Sequence, residues 1–249
     1  MSVSEIQPGL LPVAILAGGL ATRLRPVTET IPKALIDIHG RPFIARQLEY
    51  LRDQGVSRVV VCVGYLGEGI RDVVGDGSAF GLRVDWAFDG PTLLGTAGAL
   101  KRARSILGGP FFALYGDSYL PIAWRPVQTA FLASHKPALM TVFQNDRQFD
   151  QSNVLFEHGR ITAYNKRHPT PEMRHIDYGL GVFAPSAFDD VTDDQPSDLA
   201  EVYRSLAERG DLAAYEVDQR FFEIGSFEGL QATRDYFARR SSSSEESRE

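Results

Sequence analysis

Two glycines followed by basic side chains stand near the start of the chain. Gly18 and Gly19 end the apolar run 13–17, and Arg23 and Lys33 follow them. Because glycine has no Cβ, backbone N–H groups in such a turn can approach phosphate oxygens closely. The planar guanidinium of arginine also matches phosphate geometry. The grouping favours an anion-binding loop at the end of a buried strand, whereas Gly-Gly alone would equally fit an ordinary βα turn with solvated bases.

A carboxylate follows another apolar run. Asp117 comes after the run 111–115 and Gly116. A carboxylate at the carboxyl end of a buried strand can point into a crevice and hold a hard cation. Mg²⁺ prefers one or two carboxylates together with substrate phosphates. The pattern therefore predicts a Mg²⁺ site at Asp117, although a Gly-Asp pair taken alone is more often a turn.

The sequence lacks the motifs of several other phosphate-binding, metal-binding and hydrolytic sites. The sequence has no G-x-x-x-x-G-K-[ST] string, and 64–69 reads G-x-x-G-x-G, which differs from the dinucleotide-binding fingerprint. The five histidines do not show metal-ligand spacing. There is no G-x-S-x-G nucleophile elbow. Phosphate chemistry at the glycine-rich turn remains the main hypothesis.

The segments that must position these residues alternate between apolar runs and helix-like stretches. Continuous apolar runs are typical of strands buried on both faces of a parallel sheet. The predicted strands of the first half are 13–17, 59–63, 111–115 and 138–143, and the predicted helices are 42–53, 96–107 and 127–134. This order predicts an α/β fold with three layers, in which helices flank a mainly parallel sheet.

The second half is richer in short strands. A β-hairpin is predicted from 153 to 164. The further predicted elements are strands at 180–184, 213–217 and 221–224 and helices at 198–209 and 227–239. The pattern indicates a small β-rich subregion beside the main sheet.

We expect one domain over 1–240. It has a soft division near 145, with one half at about 12–145 and the other at about 146–240. The segment 241–249 is acidic, serine-rich and free of apolar residues, so it is predicted to be disordered.

Composition limits the class of protein. The 249 residues include 26 Lys and Arg and 32 Asp and Glu, a formal net charge of -6. This acidity argues against a dedicated nucleic-acid binder. No apolar run reaches the roughly 18 residues that span a bilayer, so no membrane partner is expected. The single cysteine, Cys62, excludes an intrachain disulfide and fits a reducing compartment. We expect a cytoplasmic monomer or homodimer.

The segment 16–35 resembles the signature of the sugar-1-phosphate nucleotidyltransferases, L-A-G-G-x-G-T-R-L-x-P-x-T followed by P-K. Pro32 and Lys33 fit the pattern, and Ala21 stands where the family usually has glycine. The resemblance implies a Rossmann-like (glycosyltransferase-A-like) fold and catalytic roles for Arg23 and Lys33. It implies a catalytic role for Asp117 as well. It also implies that the nucleotide is held by Leu16, Ala17, Gly18, Gly19, Leu20, Ala21, Thr22 and Arg23.

The segment 94–100 resembles the family's L-G-T-A-G-A-L, which opens a helix beside the nucleotide base and ribose. Gly95 and Thr96 are therefore expected to contact the nucleotide. Small residues here would let the base lie against the backbone. A plain helix start with Thr96 near the cap is the alternative, and both interpretations can hold.

Two segments of the second half resemble the family's sugar-facing turns. Lys166 matches the lysine of a Glu-Lys-Pro motif that contacts the phosphate of the sugar substrate, and Asn165 replaces the glutamate. Asp177 replaces the asparagine of the family's I-N-A-G turn. The resemblance implies a sugar-phosphate site formed by Asn153, Asn165, Lys166, Asp177 and Gly179, whereas without it both segments would be ordinary loops.

The segment 222–226 resembles the family's D-I-G-T, whose aspartate often supplies a second metal contact. Glu223 occupies that position with a side chain one methylene longer. The resemblance implies Mg²⁺ held mainly by Asp117, with Glu223 reaching it directly or through water.

As a whole, the resemblance implies an enzyme that joins a nucleoside triphosphate and a sugar 1-phosphate into a nucleotide-sugar and pyrophosphate. A hexose or heptose 1-phosphate, with guanosine or uridine as the base, is the leading expectation. A phosphocholine-type cytidylyltransferase is an alternative, because Tyr178 and Asp177 could form a cage for a quaternary ammonium. A non-catalytic nucleotide-sugar-binding regulatory subunit is a second alternative, supported by Glu223 alone.

Overall fold

The computed structural model describes residues 9–19, 24 and 28–246. Four residues of the predicted nucleotide loop lie outside the described part of the chain: Leu20, Ala21, Thr22 and Arg23.

The strands of the described residues form one mixed sheet and one small two-stranded sheet. They are β1 Val13–Leu16, β2 Arg58–Val63, β3 Arg83–Phe88, β4 Phe111–Tyr115, β5 Ser118–Tyr119, β6 Ala138–Gln144, β7 Val154–Glu157, β8 Arg160–Tyr164, β9 His175–Phe183, β10 Leu212–Val217 and β11 Phe222–Glu223. The main sheet has the order β10-β6-β9-β4-β1-β2-β3, the hairpin β7–β8 joins it at β9, and β5 pairs with β11.

Parallel pairing organises the side of the sheet that holds the glycine-rich turn. β1 lies between β2 and β4 and pairs in parallel with both, and β3 adds in parallel beyond β2. The carboxyl ends of these four strands therefore meet at one edge, where open α/β sheets bind ligands.

β9 departs from the parallel arrangement. It runs antiparallel to both β4 and β6, while β10 is parallel to β6. The apolar content of β9 indicates burial but carries no information on direction, so the reversal was not foreseen.

Helices cover both faces of the sheet. They are α1 Phe43–Asp53, α2 Gly67–Val74, α3 Gly95–Leu107, α4 Trp124–Ser134, α5 Leu199–Glu208 and α6 Phe227–Glu246. Buried side chains of α1, α2 and α4 form one core with the sheet, and those of α3 and α5 form a second core on the other face. A third, smaller core lies where α6 packs against β5 and β11. The predicted three-layer arrangement is present.

The carboxyl-terminal helix is longer than the sequence suggested. α6 continues through Glu246, whereas disorder was predicted from residue 241. Extending a formed helix orders one residue for each added hydrogen bond, so a polar segment can continue a helix that is packed further upstream. None of the helices in the described residues is long and apolar enough to cross a bilayer.

Candidate active site

The glycine-rich turn forms part of a cleft at the carboxyl edge of the parallel strands. The cavity has a volume of about 270 Å³. The predicted residues that line it are Leu16, Ala17, Gly18, Gly19, Lys33, Gly95, Thr96 and Asp117. The fold therefore brings together the described part of the predicted nucleotide loop, the 94–100 segment and the predicted metal ligand.

Lys33 and Asp117 form an ion pair at this cleft. Lys33 Nζ donates to Asp117 Oδ2 at 2.6 Å, and both side chains remain partly exposed. Lys33 begins a single 3₁₀ turn, Lys33–Leu35, directly after Pro32. Ser118 Oγ also approaches Asp117 Oδ1 at 3.4 Å. The ammonium group thus lies beside the carboxylate, accessible to a ligand in the cleft.

The small sheet brings Glu223 to the same place. β11 pairs with β5 so that Glu223 stands opposite Ser118, and Ile224 N–H donates to Asp117 O at 2.9 Å. A Cβ on Gly225 would lie 2.8 Å from Glu223 Oε2, 3.1 Å from Asp117 Oδ2 and 3.6 Å from Lys33 Nζ. Three charged side chains therefore converge beside Gly225, where a Cβ would crowd the two carboxylates.

Two converging carboxylates beside an anion-binding loop fit the preference of Mg²⁺ for one or two carboxylates plus phosphate oxygens. The groups of three or more His, Cys, Asp or Glu that would make an all-protein metal site are absent from the described residues. Glu223 is partly engaged, because Gly225 N–H donates to its Oε2 and Ser226 Oγ donates to its Oε1 at 2.5 Å. A carboxylate oxygen has two lone pairs, so these bonds leave capacity for a cation.

Gly95 and Thr96 line the cleft, and the Thr96 hydroxyl is engaged by the start of α5. Thr96 Oγ1 donates to Asp198 Oδ1 at 3.1 Å and accepts Leu199 N–H at 2.7 Å. The hydroxyl therefore helps to cap α5 rather than α3. Gly95 has φ +67°, and a Cβ there would lie 2.6 Å from Ser197 O, so glycine is required for this close approach.

The predicted sugar-side residues surround Asp177. Asn153 Oδ1 accepts the Asp177 N–H at 3.0 Å, and Gly179 N–H donates to Asp177 Oδ1 at 3.0 Å. Tyr115, which lines the cleft, donates from its hydroxyl to Asp177 Oδ2 at 3.4 Å. Burial raises the pKa of Asp177 to about 6, with the Gly179 hydrogen bond and the charge of Lys166 acting in the opposite direction.

Asn165 and Lys166 differ in how free their side chains are. Asn165 Oδ1 accepts the N–H groups of Arg167 at 3.1 Å and His168 at 2.8 Å, so it stabilises the turn after β8. Lys166 is exposed, and its charge acts on Asp177. The ammonium is thus available to an anionic substrate on this side.

Tyr178 does not take part in the same site. Its side chain is buried, its hydroxyl points to Arg220 O at 3.5 Å, and its ring lies against Phe143 and Phe221. Successive residues of a strand point to opposite faces, so Tyr178 and Asp177 cannot together enclose a quaternary ammonium. The cage suggested from the sequence is not formed.

Asp89 and Tyr115 also line the cleft, although neither is among the site residues predicted from the sequence. Asp89 directly follows β3, a strand that was missed. The alternation of polar and apolar residues in Arg83–Phe88 is the pattern that could have revealed the strand, and an acid at its carboxyl end would then have been a candidate.

Known proteins resemble this chain in sequence and in fold. A family model described as nucleotidyl transferase matches residues 13–233. Mannose-1-phosphate guanyltransferase beta-B of Xenopus laevis is 28% identical over 217 residues, which cover 85% of this chain and 60% of that protein. N-acetylmuramate alpha-1-phosphate uridylyltransferase of Neisseria meningitidis is 29% identical over 219 residues, covering 85% of this chain and 92% of that protein. The chain thus spans about 60% of the length of the guanylyltransferases that it matches.

A solved structure shares the architecture. The crystal structure of HddC from Yersinia pseudotuberculosis complexed with GMP-PN superposes with a TM-score of 0.76 at 26% identity, over 92% of this chain and 100% of that chain. The α/β fold inferred from the sequence resemblance is confirmed. Since the family model covers most of the sequence, the chain belongs to the nucleotidyl transferase family, as its resemblance to the sugar-1-phosphate nucleotidyltransferases predicted.

Proposed function

We propose that this protein transfers a nucleotidyl group from a nucleoside triphosphate to a sugar 1-phosphate, giving a nucleotide-sugar and pyrophosphate. The main observation behind the proposal is the convergence of Lys33, Asp117 and Glu223 beside Gly225, at the cleft that Lys33 and Asp117 line. The relatives named for mannose-1-phosphate and for N-acetylmuramate 1-phosphate support a sugar 1-phosphate, and a hexose or heptose 1-phosphate is the acceptor we propose.

The reaction joins two polyanions. A phosphate oxygen of the sugar 1-phosphate bonds to the α-phosphorus, and the bond between the α- and β-phosphates breaks to release pyrophosphate. No general base is needed, because a phosphate monoester is largely a dianion at pH 7. The protein must therefore align the two phosphates and stabilise the charge that develops between them.

The residues of the cleft divide this work. Gly18 and Gly19 present backbone N–H groups to the triphosphate, and Arg23, by family resemblance, adds a guanidinium. Lys33, held in place by its ion pair with Asp117, is positioned to move its hydrogen bonds onto the reacting phosphates. Lys166, whose charge acts on Asp177, is proposed to attract the phosphate of the sugar substrate.

Asp117 and Glu223 would hold Mg²⁺. When bound, the ion supplies charge screening between the phosphates and polarises the α-phosphate. The presence of both carboxylates, together with the ion pair between Lys33 and Asp117, also argues against a purely regulatory subunit. Such a protein would not need these charged groups at the cleft. The position of Tyr178 speaks against phosphocholine as acceptor.

The cellular compartment and the oligomeric state are proposed from less direct observations. A buried, free Cys62 thiol fits a cytoplasmic protein, because a reducing compartment keeps it unpaired. We propose a monomer or homodimer that acts without a nucleic-acid or membrane partner.

The test measures pyrophosphate release. The purified chain with Mg²⁺ is incubated with ATP, GTP, CTP, UTP or dTTP and with a panel of sugar 1-phosphates plus phosphocholine. At least one combination of a nucleoside triphosphate and a sugar 1-phosphate should release pyrophosphate. Release only with phosphocholine, or no release with any pair, would overturn the proposal.

Variants connect the activity to the site. Asp117→Asn and Lys33→Gln should each lower turnover at least about 100-fold, because each removes a charge that faces the reacting phosphates. Lys136→Gln is the matched control, since Lys136 bonds to Leu212 O outside the cleft. Near-normal turnover of either site variant would contradict the assignment.

A further inference from the structure

Asp89 is a buried acid at the cleft to which the proposed reaction gives no role. It directly follows β3, and its N–H donates to Val63 O at 2.9 Å, which extends the strand ladder by one residue. It lines the cleft together with Gly18 and Lys33, yet it is only 5% exposed. A buried carboxylate is unfavourable unless donors satisfy it, so its presence at a ligand cleft needs an explanation.

The described residues satisfy the Asp89 carboxylate only in part. Leu94 N–H donates to its Oδ2 at 3.1 Å. The guanidinium of Arg102 lies nearby, but it donates to the backbone carbonyls of Phe88 and Asp89, at 2.8 Å each. A carboxylate has about four lone-pair sites, so most of its acceptor capacity is left for a ligand. Burial also raises the pKa of Asp89, because its charged form is poorly solvated.

The position of Asp89 matches the base end of a nucleotide. The charged cluster of Lys33 and Asp117 lies at the end of β4, and β3 is three strand spacings away, across β1 and β2. At 4.7–4.9 Å per spacing this is about 14 Å. The phosphates and the base of one nucleoside triphosphate can therefore occupy the two ends of the same edge.

The chain packs closely around Asp89 at this end of the cleft. Asp89 Oδ2 lies 3.1 Å from the point where a Cβ on Gly64 would stand and 3.6 Å from that point on Gly18. Leu93 and Ala99 line the same cleft. A Cβ on Gly64 would also stand 2.5 Å from Leu93 Cδ2, so glycine is required for the close packing beside Asp89. A base that enters the cleft here would contact Leu93 and Ala99, with its polar edge toward the carboxylate.

We propose that Asp89 selects guanine, by accepting hydrogen bonds from the N1–H and the N2 amino group of GTP. The inference rests on the proposed function. An ionised carboxylate can only accept hydrogen bonds, and guanine presents two adjacent donors on one edge. Uracil and thymine present one N–H between two carbonyls, and adenine and cytosine present an amino group beside a ring acceptor. Each of these places an acceptor lone pair against the carboxylate.

The test replaces one acceptor with a donor. Asp89→Asn keeps an oxygen for Leu94 N–H but offers an amide N–H₂ in place of the second oxygen. Xanthine has a carbonyl where guanine has its amino group, so it complements the variant. In equilibrium titrations of the full chain with Mg²⁺, the wild type should bind GTP on the order of 10–100-fold more tightly than XTP, and the variant should reverse this order. Inosine triphosphate, which lacks the amino group, should bind the wild type roughly tenfold more weakly than GTP.

Asp85→Asn is the matched control. Asp85 lies on the same strand, and its carboxylate pairs with Arg58 Nε at 2.9 Å rather than lining the cleft. This variant should keep the wild-type preference for GTP. The melting temperatures of both variants separate a change of selectivity from a loss of folding.

The outcomes distinguish this inference from the proposed function. A wild type that binds UTP, dTTP, CTP or ATP more tightly than GTP overturns the role of Asp89 while the proposed function stands. An Asp89→Asn variant that weakens every nucleotide equally, without gaining XTP, shows that Asp89 only supports the turn to Leu94. Failure of all nucleotides to bind the folded wild type overturns the proposed function and the inference with it.

Discussion

Asp177 is an acid whose surroundings favour its neutral form. Burial raises its pKa from the ordinary 3.8 to about 6, against the Gly179 hydrogen bond, the charge of Lys166 and the Tyr115 hydroxyl. The folded protein therefore holds this proton more tightly than the unfolded chain between pH 3.8 and 6. Because the native state binds more protons in this window, the contribution of Asp177 to stability decreases as pH rises through it.

The substitution Asp177→Asn should remove this pH dependence. The amide oxygen can still accept Gly179 N–H, and no charge has to be buried at neutral pH. We expect the variant to raise the free energy of unfolding by about 1–3 kcal/mol at pH 8, and by less at pH 5, measured by urea denaturation at both pH values.

Asp76 provides a control, because its pKa is shifted in the opposite direction from that of Asp177. Hydrogen bonds from Ser78 lower the pKa of Asp76, so Asp76→Asn should reduce stability at pH 8 more than at low pH. An Asp177→Asn effect that is the same at pH 5 and pH 8 would contradict the assigned cause.

The site residues differ in how far the sequence could identify them. Asp117 and Lys33 stand in motifs whose residue types imply phosphate and metal chemistry, and the structure places them 2.6 Å apart. Asp89 stands in no such motif, because its position depends on a polar–apolar alternating strand. The exclusion of Tyr178 from the Asp177 site depends on strand direction and register, which no local pattern contains.

At the scale of single elements, the first turn of α6 positions Glu223. Ser226 Oγ donates to Glu223 Oε1 at 2.5 Å and accepts Gly229 N–H at 2.9 Å. A Cβ on Gly229 would overlap the Glu223 carboxyl group. The helix can therefore hold this longer acid at the cleft only with glycine at position 229.

Gly229→Ala should displace Glu223 although alanine favours a helix over glycine by about 1 kcal/mol. We expect turnover to fall at least about tenfold and the Mg²⁺ concentration needed for half-maximal activity to rise. Because the added Cβ would also stand 2.8 Å from Glu223 O, the melting temperature is measured alongside, and the activity is compared for the folded protein. Adding Glu223→Asp should restore part of the activity, because the shorter side chain ends before the overlap.

Gly69→Ala provides the comparison for that experiment. Gly69 lies in α2, and a Cβ there would meet nothing within 4 Å. Equal activities of the Gly69 and Gly229 variants, or no recovery on adding Glu223→Asp, would show that α6 does not position the glutamate in this way.

The elements themselves were predicted unevenly, for a physical reason. β4 was predicted with the bounds Phe111–Tyr115, because a strand buried on both faces is apolar throughout. β3 lies at the edge of the sheet, carries the polar residues Arg83 and Asp85 and is buried at only two of its six positions, so it does not form a continuous apolar run. β5 and β11 have two residues each, and such short pairing is fixed by tertiary contacts rather than by local sequence.

At the scale of the whole molecule, β9 joins the two predicted halves. It comes from the second half of the chain but lies between β4 and β6 of the first half. β6 has β9 and β10 as its neighbours, and both of these follow residue 145. Removing the second half would leave β6 without a strand partner and expose one edge of β4.

This topology predicts a single cooperative unfolding transition for the described body of the protein. Fluorescence of Trp86 and Trp124 reports the first half, since Trp124 is buried against Phe112 with ring centroids 5.0 Å apart. Hydrogen exchange of peptides from β8 and β10 reports the second half. The two urea midpoints should coincide, because β9 connects β4 to β6 and its loss would expose an edge of each of these strands.

A fragment ending at residue 145 is the matching control, and it should fail to give a cooperative transition. Two separate midpoints in the full chain, or a fragment that unfolds cooperatively, would show that the halves are independent domains. In that case nucleotide and sugar phosphate would meet between separately folded bodies. With one midpoint, Lys33, Asp117 and Asp177 instead belong to one cooperatively folded body, and their alignment requires no domain closure.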